Sequence, residues 1–435
     1  MINRLLNFFT SLRLTVVCLG LALLLVFIGT LAQVSLGLYN AQSEFFRSVF
    51  VYWHPAGTHW KIPVFPGGWL LGGVLLINLL AAHAKRFEVS RKRIGIFLIH
   101  GGLILLLVGQ FLTEITQIES TMRLEVGTTR NFTEDSRHLE LAIIDVTAKD
   151  RDEVVSIPER LLIRKEEVRH PKLPFTVRVK NYFNNSIPAG PMSSQSAEKI
   201  VATQGVGQRL QFAREKETTS MDDENKPAAL VEIVAEAKSL GDWSVSTWLT
   251  KHPWKEVLSQ EMGMSQFTEV PQEFNYGGHT YQLALRPVRY YKPFYVTLLE
   301  FHHDIYKGTD IPKNFASKVR VQNPATAENR EVLIYMNNPL RYAGETFYQA
   351  GFEPGDTVTI LQVVKNPAAI TPYLSCTIMG GGLLIHFLMT LFGFFKRRSA
   401  QLKAVEQGPR KSKPRREELE PALAGGRKSG KGGNS

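Results

Sequence analysis

Four long apolar blocks constrain this chain more than any other feature, because about 20 largely apolar residues are what an α-helix needs to cross the roughly 30 Å hydrocarbon layer of a membrane. Leu14 to Leu36 contains no charged residue. The block from Gly68 to His83 is shorter, and Trp69 at one end and Lys85 and Arg86 at the other are interface anchors. Ile94 to Leu112 and Tyr373 to Phe395 complete the set. The sequence thus predicts a polytopic α-helical membrane protein, with spans at about 14–36, 68–83, 94–112 and 372–396. A cleaved signal peptide competes for the first block, but the length of that block and the aromatic segment leading to a second span favour a retained helix.

Basic residues beside the spans set the orientation, since Lys and Arg near span ends stay cytoplasmic. Arg4 and Arg13 precede the first span, and Lys85, Arg86, Arg91, Lys92 and Arg93 fill the tight turn between the second and third. Lys396, Arg397 and Arg398 follow the fourth. Both termini are therefore expected in the cytoplasm, with residues 115–371 outside, as in a multi-pass protein of a bacterial inner membrane. The net charge of +11 is explained by these clusters and by the tail, so nucleic acid is not an expected partner and the lipid bilayer is. Residues 397–435 mix Lys, Arg, Gly, Pro and Glu with few large apolar residues, and read as a disordered basic cytoplasmic tail.

The long segment between spans three and four reads as a large mainly-β domain, a sandwich or open barrel. Short runs with period-two alternation recur at Leu139 to Val146, Phe175 to Val179, Leu230 to Val234, Tyr281 to Leu285, Tyr295 to Phe301, Lys318 to Val321, Val332 to Tyr335 and Val358 to Val363. Tyr276-Gly277-Gly278 and Glu353-Pro354-Gly355-Asp356 punctuate them as turns. Residues from about 184 to 226 are rich in Ser, Gln, Glu and Gly and read as a mobile insertion. The domain carries no disulfide, because the two cysteines, Cys18 and Cys376, both lie in apolar blocks. That count also excludes a CxxC redox pair and a CxxCH haem-attachment site. No nucleophile motif, phosphate loop or metal-spaced cluster is found. His302-His303-Asp304 comes nearest, but neighbouring strand residues point to opposite faces and cannot readily share one metal.

The residues with the clearest chemical meaning are His100 and His386, each inside an apolar block where an ionisable group is costly and marks function by default. His100 lies about 9 Å, and His386 about 14 Å, from the basic end of its span. A neutral imidazole is a good axial ligand for haem iron. Gly101 and Gly102 beside His100, and Gly382 one turn from His386, either leave room for a flat porphyrin or permit close helix packing. His83 is a weaker candidate at the cytoplasmic edge. The first outer loop holds Phe45, Phe46, Trp53, His54, His59 and Trp60 and runs to Trp69, which an interfacial aromatic belt explains, with transient haem contact as the lesser reading.

Several segments together resemble a known family. They are Arg93-Ile94-Gly95 through His100-Gly101, Met122 to Gly127, Tyr306-Lys307-Gly308-Thr309 with Phe315-Ala316-Ser317, and Asn338 to Gly344 running into Phe347-Tyr348-Gln349. In order and topology the chain resembles the ResB-type cytochrome c biogenesis proteins, one half of the two-component system II machinery for haem delivery and attachment. The resemblance implies a subunit that works with a ResC- or CcsA-like partner to carry haem b across the membrane and present it to the CxxCH thiols of apocytochrome c. It implies that His100 helps ligate haem. The tryptophan-rich haem-handling motif belongs to the partner, so the chain is expected to be a non-catalytic or co-catalytic subunit of a haem lyase or synthase, with no catalytic residue and no metal beyond haem iron. Two other classes compete: a self-contained b-type redox protein clamping haem between His100 and His386, and a scaffold that only recruits apocytochrome.

Overall fold

The computed structural model describes residues 7–53, 55, 60–85, 93–189, 197–218, 224–251, 254–265, 272–308, 312–353 and 355–406. Arg4, His54, His59, Arg86, Arg91, Lys92, Thr309, Pro354 and the tail beyond residue 406, all invoked above, lie outside them. The chain divides into two compact units, residues 1–87 with 102–376 and residues 88–101 with 377–435.

Four helices among the described residues are long and apolar enough to cross a membrane. They are α1 (Leu12–Ala41), α2 (Gly68–Lys85), α3 (Ile94–Thr116) and α4 (Thr371–Glu406). Helix α1 kinks at Gly37, whose φ of 75° only glycine adopts readily. Helix α4 does not stop at Phe395: Lys396 to Glu406 are strong helix formers, and the part of the tail expected to be disordered from residue 397 begins as helix.

Between α1 and α2 the chain forms a hairpin of β1 (Phe50–Trp53) and β2 (Ile62–Pro66). Val51, Phe45, Phe46 and Phe65 pack with Leu25 of α1 and Leu71 of α2. An ion pair at 2.6 Å joins Arg47, just before the hairpin, to Glu114 of α3. Within α1 and α2, Asn78 donates to the carbonyls of Phe9 and Ser11 and accepts from Thr15, so its buried amide is fully occupied.

The rest of the larger unit is mainly β. Its strands are β3 (Ile118–Glu125), β4 (Thr129–Asp145), β5 (Glu153–Pro158), β6 (Glu167–Val168), β7 (Thr176–Phe183), β8 (Ser186–Pro188), β9 (Lys199–Ile200), β10 (Phe212–Arg214), β11 (Ala228–Ala235) and β12 (Lys238–Ser246). They continue with β13 (Gln272–Tyr276), β14 (His279–Ile305), β15 (Pro312–Asn323), β16 (Glu328–Tyr335), β17 (Leu340–Tyr342), β18 (Glu345–Phe352) and β19 (Val358–Lys365). Every run expected as a strand falls on one of these, with Val146 and Phe175 one residue outside the ends of β4 and β7. Two of them, Tyr281 to Leu285 and Tyr295 to Phe301, are halves of the 27-residue β14. Pro287 and Pro293 fall at the two bulges in its pairing with β4, where a missing ladder N–H is tolerated. Gly277 and Gly278, with φ of 61° and 82°, close the β13–β14 hairpin in the left-handed conformation a tight two-residue turn demands.

One sheet runs in the order β16-β15-β14-β4-β3-β19-β18-β17 and curls into a nearly closed barrel. Met122, Leu124, Phe294, Val296, Leu298, Val319, Val321, Phe347, Leu361 and Val363 fill its interior. The barrel is therefore a packed core and not a pore. The far halves of β4 and β14, with β5 and β13, face the sheet β12-β11-β7-β6 across a second core built around Leu141, Ile143, Val177, Val231, Leu283 and Leu285. Within 184–226, the described residues form the sheet β8-β10-β9 and bury Ile200, Leu210 and Phe212 against Trp248 and Leu258. A few well-placed apolar residues there outweigh the polar composition that reads as an insertion.

Where the two β units meet, Asp135 is nearly buried. Burial alone would raise its pKa, but the Tyr290 hydroxyl, the N–H groups of Arg137 and His138 and the His138 ring together hold it below the ordinary carboxylate value. Its contribution is therefore fully present above the unfolded pKa of about 3.9 and is lost as pH falls through the depressed folded value. Asp135→Asn is expected to lower stability at pH 7 and to flatten its acid-side decline, which denaturant midpoints at pH 7 and pH 3 would show. Parallel acid slopes in both proteins would contradict this.

Candidate functional site

In the smaller unit α3 and α4 cross on glycine. A Cβ at Gly95 would stand 2.7 Å from the His386 Cβ and backbone N, and one at Gly382 would stand 2.7 Å from the Leu98 Cβ and 2.9 Å from the Gly95 carbonyl and the Ile99 N. Gly382 therefore serves backbone packing and leaves no slot for a porphyrin, since Leu98 fills the space. Gly382→Leu is expected to force the helices apart at a cost of about 1–3 kcal/mol, read as a lower melting temperature of the full chain in detergent. An unchanged melt would show that the crossing tolerates bulk.

The same seam places the histidines. His386 packs its Cβ onto Gly95, and Thr390 one turn on donates to its carbonyl. His100 lies five residues beyond Gly95, about 140° around α3 at 100° per residue, on a face turned away from the seam. The two half-buried rings consequently do not face each other across the α3–α4 contact. A Cβ on Gly101 would meet nothing within 4 Å, whereas Gly102 is buried. His83 is half-buried in the last turn of α2, two residues from Lys85, which bonds Asn7 at 2.5 Å.

Trp53 and Trp60 on the hairpin between α1 and α2, and Trp69 in the first turn of α2, are exposed, Trp60 at 73%, while Phe45 and Phe46 belong to the small core beneath. The pair in β14 separates as strand alternation requires. His302 is exposed beside Glu300, whereas His303 turns inward and its Nδ1 lies 3.1 Å from Asp356. Asp304 takes no part in that pairing. Its role falls to a residue 52 positions later that no local motif marks. Among the described residues no group of three or more His, Cys, Asp or Glu side chains could hold a metal ion.

The domain also buries charge. Arg286 and Glu140 pair at 3.0 Å with each side chain only 5% exposed, and Ser156 donates to the second carboxylate oxygen. Near the helix end of the barrel, Lys292 and Glu345 pair at 2.5 Å and are almost as buried.

Four membrane-compatible helices carrying a large β domain, with histidines on the apolar helices, define a class of helix-anchored β proteins. Residues 256–361, which include β13 to β18 and the first half of β19, match the ResB-like family. Over 106 residues it is 31% identical to Protein NrfI of Wolinella succinogenes, an alignment covering 24% of this chain and 12% of that protein.

Proposed function

We propose that this chain is a subunit of a cytochrome c maturation complex, working with a ResC- or CcsA-like partner to move haem across the bacterial inner membrane and present it to the CxxCH of apocytochrome c. The observation carrying the reading is that the ResB-like segment makes up much of a β domain joined directly to the helix that bears His100. In this reading α1 to α4 span the membrane, the termini are cytoplasmic and the β domain is outside, as the basic clusters at the span ends favour.

Haem is the cargo, and an imidazole on an apolar helix suits transient ligation of its iron. The packed barrel interior excludes a route through the lumen. In this reading the route runs along the helices and His100 lies on it. A self-contained b-type protein is disfavoured by the roughly 140° between His100 and the α3–α4 seam.

The test is a strain lacking the chain, complemented with wild type and assayed for covalently bound haem in c-type cytochromes, alongside the haem spectrum of the purified chain. Loss of holocytochrome without the chain, and haem bound to it, are expected. Normal cytochrome assembly in its absence would overturn the proposal. Thiol labelling of single cysteines placed at residues 150 and 400 tests the orientation independently, with residue 150 reached from outside and residue 400 only after permeabilisation.

A further inference from the structure

His303 occupies the end of the barrel remote from the helices. Phe352 on the adjoining β18 pairs with Thr359, six residues and about 20 Å along β19 from Lys365 at the helix junction. Facing Asp356 at 3.1 Å, Nδ1 must be the donor, because an ionised carboxylate only accepts. This fixes the tautomer and leaves a lone pair on Nε2. That atom is buried and has no hydrogen-bond partner, although an unmet buried polar group costs about 1–3 kcal/mol.

Aromatic rings surround it. The His303 ring lies 4.2 Å from Phe352 and 5.8 Å from Phe315, and Phe301 closes on Phe352 at 5.9 Å. Beneath this cup Ser317, Gln349 and Thr359 satisfy one another and seal the barrel interior.

A carboxylate orienting one imidazole nitrogen while the other stays free is the support that metal-ligating histidines use. A bare cation would need three or four protein ligands, and none of the described residues supplies them here. Iron already held by four donors of a macrocycle needs only one, and flat aromatic walls suit the macrocycle. We propose that His303 is an axial ligand for haem at the outer mouth of the barrel, oriented by Asp356 and covered by Phe352 until haem arrives. This deepens the haem-delivery reading and rests on it, by naming where the outer domain receives its cargo.

The test is a titration of the full chain in detergent with ferric protoporphyrin IX, in a His83→Ala/His100→Ala/His386→Ala background that removes the helix candidates. A histidine-ligated Soret band is expected, together with at least about tenfold weaker binding and loss of that band on His303→Ala. Asp356→Asn should weaken binding several-fold, and His302→Ala, 59% exposed on the opposite face, should leave it unchanged. Phe352→Ala opens the cup without touching the imidazole and should speed association. Identical spectra and affinities with and without His303, or an association rate indifferent to Phe352, would overturn the proposal. The helix reading is scored separately, by whether haem co-purifies with an otherwise wild-type chain and is lost in His100→Ala.

Discussion

Replacing His100 with alanine is expected to strip co-purifying haem from the full chain and to lower holocytochrome c by at least about tenfold, the scale of losing one interaction worth about 1.4 kcal/mol or more. His386→Ala should have a much smaller effect. The difference is geometric: His386 meets α3 through its Cβ and backbone, atoms that alanine keeps, whereas His100 lies about 140° around α3 from Gly95, away from that contact. Haem content by pyridine haemochrome and covalent haem staining of cytochromes are the measurements. Full haem retention and normal cytochromes in His100→Ala would leave the chain a scaffold that recruits apocytochrome.

The second large effect concerns stability. Arg286→Met is expected to destabilise the β domain by about 3–5 kcal/mol, because it strands the Glu140 carboxylate in a site where both partners are 5% exposed. Most of that loss is the penalty of an unpaired buried charge and not the worth of the pair. Arg286→Met combined with Glu140→Leu should therefore be markedly more stable than Arg286→Met alone. Denaturant unfolding of the four members of this cycle, followed by tryptophan fluorescence, measures the coupling. A double variant as unstable as the sum of the singles would mean that the two residues act independently.

The helices were legible because charge-free apolar runs such as Leu14 to Leu36 are long enough to cross a membrane. Their ends were not, since Lys396 to Glu406 mark the edge of the apolar layer without breaking the helix. Strands were legible wherever alternation was clean. The unity of β14 was hidden by prolines that its bulges accommodate, and the small sheet around Phe212 by the polar residues surrounding it.

For the candidate site, His100 and His386 stood out as polar residues in apolar blocks, but only the crossing at Gly95 and Gly382 separates their faces. The partnership of His303 with Asp356 depends on strand register across three hairpins. Sequence reasoning offers Asp304 instead, the residue that alternation turns away.

The junction between helices and barrel has a mechanical consequence. Only Gln117 separates α3 from β3, and β19, hydrogen-bonded to β3 along its whole length, leads back to α4 within five residues. Asn366 clasps the two sides by donating to Thr113 and Gln117, and Thr371 is close against Gly109. Two adjacent stems grip the barrel, so it cannot swivel about a single attachment as a tethered domain would. A bend at residues 109–117 therefore moves β3 and β19 together, and neither strand of the barrel shifts without the other.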